Sequence, residues 1–247
     1  MISAVILTKN SSATLDKTLS SLSFCDELIV VDDESTDETE DIAKKNHAIL
    51  LKRVLDNDFA AQRNFGLSKA KGDWVLFVDS DEVVSQKLSD EIKVKISHTE
   101  SEGFIFRRFD ELWGKTLMHG EISTVRLLRL AKRNAGIWTR PVHEVWNVKG
   151  KTEELDEPLI HRPHQTVREF LSDVDKYSTI NAQTFYKQNV RTGYFGVIAY
   201  PLGKFLQNYF FRLGFLDGMP GLILALMMSF HSFLTRGKLW ELQQKDH

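Results

Sequence analysis

The sequence predicts an α/β protein with a mostly parallel β-sheet, and two observations support this prediction. Four short runs of apolar and β-branched residues occur early in the chain, at residues 3–7, 28–31, 48–51 and 74–78. Between successive runs lie polar turns and segments with helical character. Near-continuous apolar runs are typical of strands buried on both faces, and strand–helix alternation is typical of a parallel sheet covered by helices.

The helices between these runs are predicted from spacing and from capping residues. Leu15, Leu19 and Leu22 recur at helical spacing after the first run. Ser35 follows the second run as a candidate N-cap, with acidic residues in the turn behind it. Residues 59–70 form the third predicted helix. Each predicted helix therefore connects two predicted strands.

Weaker patterns follow residue 82 and suggest a second region. They predict a helix over 87–96 and strands over 103–107 and 125–130. A capping box at residues 166–169 then starts a helical region. We therefore expect two domains: one over 1–165 and a C-terminal helical one over 166–247.

Bulk composition limits the classes of function. The 247 residues carry a net charge of −2, which gives no reason to expect nucleic acid as a partner. Cys25 is the single cysteine, so no internal disulfide forms, and a reducing compartment is expected. The first residues lack the basic and long apolar regions of a signal peptide. These features predict a cytoplasmic protein.

The last third of the chain is aromatic, basic and poor in acids. Asp217 is the one acidic residue between Lys176 and Trp240. The apolar stretch over 222–234 is shorter than the roughly 20 residues a spanning helix needs, and we expect Asp217, Pro220 and His231 to interrupt it. The composition predicts a helix pair lying in the interface of an anionic membrane. A buried helical hairpin or a dimer interface is the alternative.

Acidic residues follow two of the predicted strands. Asp79, Asp81 and Glu82 come directly after the fourth run, and Asp32 and Asp33 follow the second. Clustered carboxylates repel one another unless a cation compensates them, and ligands of open α/β sheets bind at the carboxyl ends of strands. The pattern predicts Mg²⁺ or Mn²⁺ holding a phosphate-bearing ligand. The alternative for the Asp32-Asp33 pair alone is a turn and helix cap.

Residues 1 to about 100 resemble family 2 glycosyltransferases with the GT-A fold, a Rossmann-like nucleotide-sugar-binding fold. The resemblance is carried by Thr8-Lys9-Asn10, Val30 to Asp37, Gln62-Arg63-Asn64 and the DxD motif Asp79-Ser80-Asp81, in that order. Three later segments are similar to a bacterial subgroup that includes lipopolysaccharide core β-1,4-glucosyltransferases. They are Val142-His143-Glu144, residues 158–163 and residues 214–221.

The resemblance implies roles for particular residues. Asp33 would bond the uracil ring, and Arg63 would steady the nucleotide or its phosphates. The implied donor-binding residues are Thr8, Asn10, Asp32, Asp33, Arg63 and Asp79. The implied metal ligands are Asp81, Asp79 and His161. His161 has an alternative as a helix-capping residue, as does His164 close by.

A general base must take the proton of the attacking acceptor hydroxyl in an inverting enzyme. The resemblance implies that Glu144 is this base, and His143 is the alternative. Glu82 is expected to shape its loop. Trp113, Trp138 and Trp146 either stack on sugars or pack in the core.

The resemblance thus implies a metal-dependent inverting enzyme that moves a hexose from a UDP-sugar to a lipid-anchored saccharide such as lipopolysaccharide core. Glucose is the first candidate for the hexose. It would work in the cytoplasm, bound peripherally to the inner face of the plasma membrane. Two other functions remain open at this point. One is a haloacid-dehalogenase-like phosphohydrolase with Asp79 as nucleophile. The other is a non-catalytic nucleotide-sugar-binding scaffold.

Overall fold

The computed structural model describes residues 1–122, 125–163 and 166–245. They form two compact units. Unit 1 comprises Met1–Arg108 and Val125–His161, and unit 2 comprises Phe109–Thr124 and Arg162–His247. The predicted division lay at residue 165, so unit 2 takes up Phe109–Thr124 in addition to the C-terminal region. His164, considered above as a helix cap, lies outside the described residues.

Unit 1 is built on the four strands that the apolar runs predict. They are β1 (Ile2–Thr8), β2 (Glu27–Asp32), β3 (Ile49–Lys52) and β4 (Trp74–Asp79). They lie side by side in the order β3-β2-β1-β4, and all three pairs are parallel. Val5, Ile29 and Phe77 are fully buried because helices and loops cover the sheet. The predicted α/β class is therefore confirmed.

Eight further strands follow β4 in the described part of the chain. They are β5 (Glu82–Val83), β6 (Gly103–Leu112), β7 (Lys115–Thr116), β8 (Arg126–Lys132), β9 (Gly136–Thr139), β10 (Val145–Val148), β11 (Thr152–Glu154) and β12 (Leu159–His161). The strand order is β3-β2-β1-β4-β8-β6-β12-β5. Antiparallel β8 lies against β4, and β12 pairs antiparallel with β5. Strands β9 and β10 form a separate antiparallel pair.

Four helices of unit 1 connect the strands. They are α1 (Leu15–Ser21), α2 (Thr39–Lys45), α3 (Phe59–Lys69) and α4 (Gln86–Ser97). Asp58 caps α3, because its side chain accepts a hydrogen bond from the Ala61 amide. The expectation that Ser35 caps α2 was wrong: Glu38 precedes that helix, and Ser35 instead bonds Asp32. Helix α3 packs closely on β1, since a Cβ at Gly66 would lie 2.4 Å from Val5 Cγ1.

Unit 2 is mainly helical. Its elements are α5 (Val167–Lys187), α6 (Tyr194–Leu206), a π-helical turn (Gln207–Phe211), a 3-10 turn (Gly214–Asp217) and α7 (Gly218–Gln244). The capping box at the start of α5 forms as predicted, because Thr166 and Glu169 each accept a hydrogen bond from the other's backbone amide.

Helix α7 is longer than the sequence suggested. The expectation that Pro220 and His231 interrupt it was wrong, since the helix runs continuously through both. Pro220 lies in the first turn, where a backbone N–H has no partner within the helix, so proline is tolerated there. The stretch Gly214–Gln244 is long and apolar enough to cross a membrane by length and composition.

Candidate active site

The predicted donor-binding residues meet at the carboxyl edge of the parallel strands in unit 1. Thr8 at the end of β1 pairs in register with Asp32 of β2, and the adjacent Leu7 pairs with Asp79 of β4. The Asp33 amide donates to the Thr8 carbonyl at 2.9 Å. The sheet thus brings together residues that lie far apart in sequence, at the edge where ligands of open α/β sheets bind.

Asp33 is held as an acceptor in the loop after β2. Its carboxylate accepts hydrogen bonds from Lys9 Nζ at 2.8 Å and from the Leu55 amide at 2.9 Å. Burial by itself raises the pKa of Asp33, but these hydrogen bonds bring the pKa below its ordinary value. Asp33 is therefore an ionised acceptor, which is the property needed to bond a ring N–H or a hydroxyl.

Asp32 and Asn10 shape the loops. Both Asp32 carboxylate oxygens face Ser35, which donates its amide at 2.9 Å and its hydroxyl at 2.5 Å. Asp32 is completely buried and holds the turn after β2, and its donor-binding role stays a prediction. Asn10 joins the loops after β1 and β2: its amide donates to Ser35 Oγ and its Oδ1 accepts from the Thr36 amide, each at 2.8 Å.

Thr8 has a buried hydroxyl that makes no hydrogen bond within the described part of the chain. Buried polar groups are rarely left without a partner, because losing the hydrogen bonds to water costs free energy. This hydroxyl lies at the same edge as Asp33. Such a position is consistent with the predicted donor-binding role of Thr8.

Arg63 is a buried cation on α3 that bridges two acids. Its Nε donates to Glu144 Oε1 at 2.9 Å, and its Nη2 donates to Asp79 Oδ1 at 2.8 Å. The guanidinium also lies over the rings of Trp138 and Phe77, with its central carbon 4.8 and 5.7 Å from their centroids. Arginine suits this position because its planar fork serves several partners at once.

Asp79 is surrounded by positive charge. Its second oxygen, Oδ2, accepts a hydrogen bond from Arg129 Nη2 at 2.6 Å. Burial raises the pKa of Asp79, but Arg129 and Arg63 together hold that pKa far below its ordinary value. Both oxygens of Asp79 thus accept hydrogen bonds from arginines, and its role as a metal ligand stays a prediction.

Glu82 is buried behind Asp79 and shapes the loop after β4. Its Oε2 accepts the Asp79 amide at 2.9 Å, and its Oε1 lies 3.6 Å from Arg108 and 3.8 Å from Arg129. Burial and the neighbouring Asp79 raise the pKa of Glu82. The position is that of the loop-shaping residue expected from the sequence.

Arg129 and Arg108 were missed by the sequence analysis. They come from β8 and β6, and they supply much of the positive charge that the acidic cluster needs. The sequence analysis inferred that a cation must compensate these carboxylates. For Asp79 and Glu82, the arginines supply positive charge without a metal. An arginine within the largely apolar run over 125–130 was the one available signal, because a buried arginine needs an acidic partner.

Asp81 and His161 lie together. His161 Nε2 is 3.3 Å from Asp81 Oδ2. The pairing of β12 with β5 explains this, since His161 lies in register with Glu82, the residue after Asp81. No cluster of three or more His, Cys, Asp or Glu able to hold a metal occurs in residues 1–122, 125–163 and 166–245.

A single carboxylate with one imidazole still suits a divalent cation. Mg²⁺ is commonly held through one or two carboxylates, with substrate phosphates and waters as its other ligands. Asp81 and His161 are both partly exposed, so an incoming diphosphate could reach them. The donor set therefore fits Mg²⁺ or Mn²⁺ bound together with a diphosphate, and not a metal held by protein alone.

The two candidate bases differ in their surroundings. Glu144 is mostly buried and is oriented by Arg63, while its Oε2 makes no hydrogen bond within the described residues. His143 is exposed and has a positive φ of 55°. The Phe59 amide donates to the Pro141 carbonyl at 2.9 Å, which attaches this loop to the start of α3.

The tryptophans are core residues. Trp138 and Trp146 stack with centroids 5.3 Å apart, and both pack edge-on against Phe77. Asn64 fixes Trp138 through two backbone hydrogen bonds. Trp113 packs against the apolar cluster of unit 2. Of the two alternatives, the packing role fits Trp138 and Trp146, because both are buried.

The phosphohydrolase alternative does not fit the site. Its nucleophile would be Asp79, but both Asp79 oxygens are bound by arginines. Strands β1, β2 and β3 also precede β4 in the chain, whereas such enzymes carry the motif on their first strand.

Comparisons with known proteins place the chain among glycosyltransferases. The profile of Glycosyl transferase family 2 matches residues 3–148. A relative called an uncharacterized glycosyltransferase, from Rickettsia prowazekii, is 28% identical over 99% of this chain and 88% of its own length. The lipopolysaccharide core biosynthesis glycosyltransferase LpsC of Rhizobium meliloti is 26% identical over 97% of this chain and 92% of its own length.

Two solved structures share the fold. The crystal structure of S. aureus TarS 1-349 has a TM-score of 0.50 at 16% identity, covering 100% of this chain and 92% of that one. Glucosyl-3-phosphoglycerate synthase from Mycobacterium tuberculosis, in complex with Mn²⁺, UDP and glucosyl-3-phosphoglycerate, has a TM-score of 0.50 at 18% identity, covering 78% and 81%. The family match covers more than half of the 247 residues. The chain therefore belongs to glycosyl transferase family 2 and has the GT-A fold.

Proposed function

We propose that this glycosyltransferase transfers a hexose, with glucose as first candidate, from a UDP-sugar to a lipid-anchored saccharide, with inversion at the anomeric carbon and with Mg²⁺ or Mn²⁺. The acceptor class is a lipopolysaccharide-core-like saccharide at the inner face of the plasma membrane. The observation that carries the proposal is the Arg63 bridge. It joins Asp79 of the DxD motif to Glu144 at the carboxyl edge of the sheet.

The donor side of the proposal uses the loops after β1, β2 and β4. Asp33 accepts a hydrogen bond from the uracil ring, with Thr8 lining the base pocket. Asp79, fixed by Arg63 and Arg129, reaches the ribose or the transferred sugar. Asp81 and His161 hold the divalent cation, which when bound offsets negative charge on the departing diphosphate.

The acceptor side needs one group to remove a proton. Glu144 is proposed as this general base because Arg63 orients its carboxylate and leaves Oε2 without a protein partner in the described residues. The acceptor oxygen then forms a bond to the anomeric carbon as the bond to the diphosphate breaks, and its proton passes to the base. His143, exposed in the same loop, is the alternative base.

Two relatives support the choice of substrates. The M. tuberculosis structure contains UDP and Mn²⁺, which supports a UDP-linked donor and a divalent cation through the shared fold. The Rhizobium meliloti relative is a lipopolysaccharide core biosynthesis enzyme, which supports a saccharide acceptor. A glucose donor rests on the similarity of residues 142–144 and 214–221 to the bacterial subgroup.

The test is a thermal-shift and donor-hydrolysis panel of UDP-glucose, UDP-galactose, UDP-N-acetylhexosamines and other nucleotide sugars with Mg²⁺, Mn²⁺ or chelator. We expect the largest stabilisation with a UDP-hexose plus metal. Asp81→Asn should remove the metal dependence of that stabilisation, whereas the exposed Asp41→Asn should not. A donor that binds but is never hydrolysed or transferred would favour a scaffold instead. Absence of stabilisation by any UDP-sugar would contradict the proposal.

A further inference from the structure

Unit 2 exposes an unusual amount of apolar side chain. On α6, Tyr194, Phe195, Ile198 and Leu202 are all exposed, and their spacing puts them on one stripe of the helix. Phe211 and Met219 continue the exposed apolar side chains beyond α6. Phe195 and Phe211 are 84% and 82% exposed. These six residues are called the apolar surface below.

Such a surface needs a partner, because large exposed apolar patches on soluble proteins mark interaction sites. Aromatic side chains that remain almost fully exposed gain free energy when they leave water. The partner must therefore offer an apolar phase to which these side chains can transfer.

The charges around the apolar surface identify the partner. Between residues 177 and 240 the one acid is Asp217, and it is buried. Near α6, Lys187 and Arg191 precede the helix and are exposed. Lys204 within the helix pairs with Glu121 at 2.8 Å. Cations beside exposed aromatics match the anionic headgroups and apolar chains of a phospholipid bilayer.

The shape of the segment favours insertion without spanning. Helix α6 has 13 residues and is about 20 Å long at 1.5 Å per residue, whereas crossing a bilayer takes roughly 20 apolar residues. A π-helical turn and a 3-10 turn follow α6 directly. These two turns separate α6 from α7, so the two helices do not form one continuous apolar helix.

Helix α7 is long enough to span, but it packs against polar neighbours. Lys238 donates to the side chains of Asp175, Ser178 and Thr179 on α5. Arg236 lies over the ring of Tyr200 on α6, 3.9 Å from its centroid. Helix α5 carries six charged residues along its 21 positions. These contacts hold α7 against a charged helix, which is unfavourable for a helix that crosses hydrocarbon.

From these observations we infer that the apolar surface inserts into the headgroup and acyl boundary of an anionic bilayer, with α7 packed against α5 and α6 and not crossing the bilayer. This inference deepens the proposed function by naming the surface that binds the membrane. It rests on that function in one respect: peripheral binding brings the enzyme to a lipid-anchored acceptor. The binding itself needs neither donor nor acceptor.

The experiment is co-sedimentation of the full chain with phosphatidylglycerol–phosphatidylcholine vesicles, and with phosphatidylcholine vesicles alone. We expect the wild type to bind the anionic vesicles more strongly, and the excess to shrink at high salt, where charge attraction is screened. The double variant Phe195→Ser/Phe211→Ser should bind at least tenfold more weakly. Val94→Ser is the matched control, because Val94 is 65% exposed on α4 of unit 1; it should change binding less than twofold.

Circular dichroism and thermal melting check that the double variant is folded. We expect it to fold, because Phe195 and Phe211 are exposed. Vesicle binding unchanged in the double variant would overturn the inference. Wild-type protein that stays with the membrane after alkaline carbonate treatment and is released only by detergent would also overturn it, because that result indicates a spanning helix. A third outcome would assign the surface to a second copy of the chain instead. In that outcome the wild type binds no vesicles, and light scattering shows a dimer that the double variant no longer forms. UDP-sugar stabilisation is measured without vesicles, so failure there leaves this result intact.

Discussion

Arg63 Nε lies 2.9 Å from Glu144 Oε1, although 81 residues separate the two in sequence. The same guanidinium donates to Asp79 Oδ1 at 2.8 Å. One buried arginine therefore fixes the acid of the DxD motif and the proposed base relative to each other. Positioning of reacting groups contributes several kcal/mol to catalysis, so we expect this link to matter beyond its effect on stability.

The first prediction concerns removal of that link. Arg63→Ala should destabilise the protein by about 3 kcal/mol, because it leaves two mostly buried carboxylates short of their cation. Arg63→Lys should recover part of the stability but little activity, since an ammonium cannot reproduce both bonds of the planar fork. Urea unfolding and donor hydrolysis measure the two effects. Lys69→Ala, exposed on the same helix, is the control; equal stability of Arg63→Ala and Lys69→Ala would contradict the prediction.

The second prediction separates the two candidate bases. Glu144→Gln should lower the turnover number by about 10²–10⁴-fold, the usual contribution of a general base, with UDP-sugar affinity nearly unchanged. Glutamine keeps an oxygen that can accept from Arg63, so the loop should stay in place. His143→Ala should lower turnover by only a few fold. The opposite pattern, with His143→Ala the inactive variant, would assign the base to His143.

The third prediction tests a buried acid in unit 2. Asp217 accepts hydrogen bonds from the His119 amide at 2.9 Å and the Met118 amide at 3.3 Å, and it pairs with His119 Nδ1 at 3.0 Å. Asp217→Ala should therefore cost about 2–3 kcal/mol in unfolding free energy, because buried donors lose a charged acceptor. Asp175→Ala removes an exposed ion pair with Lys238 and should cost less than about 1 kcal/mol. A similar cost for both variants in urea unfolding would refute the prediction.

The fourth prediction is a pH dependence of stability. Burial lowers the pKa of His231, and the nearby Lys204 and Lys238 lower it further. The unfolded chain then binds a proton near pH 6.5, while the folded chain binds it only at lower pH. Stability due to this residue is complete above about pH 6.5 and is lost as the pH falls toward the folded pKa.

Urea unfolding at pH 7.5, 6.5 and 5.5 measures this dependence. His231→Gln should reduce the loss of stability between pH 6.5 and 5.5. His98→Gln, at an exposed position, should leave the loss as it is in the wild type. An identical pH dependence in the His231→Gln variant would show that other groups cause it.

Predictions from local pattern were the most successful. The four apolar runs became β1 to β4, and the capping box at Thr166 and Glu169 formed as expected. Predictions of the role of a single side chain, such as capping or interrupting a helix, were less reliable. Ser35 bonds Asp32 instead of capping α2, and Pro220 lies in the first turn of a helix that it was expected to interrupt. A capping or breaking residue acts through the exact turn in which it lies, and composition does not specify that turn.

The sequence by itself determined the α/β class, the carboxyl-edge position of Asp33, Asp79 and Asp81, and the acid-poor aromatic character of the C-terminal third. These follow from periodicity and composition, which act over a few neighbouring residues. The tertiary structure alone decided that Arg63 and Arg129 neutralise Asp79, and that His161 lies beside Asp81. These pairs join residues 16 to 80 positions apart, so they exist only after the strands have paired and brought distant side chains to one edge.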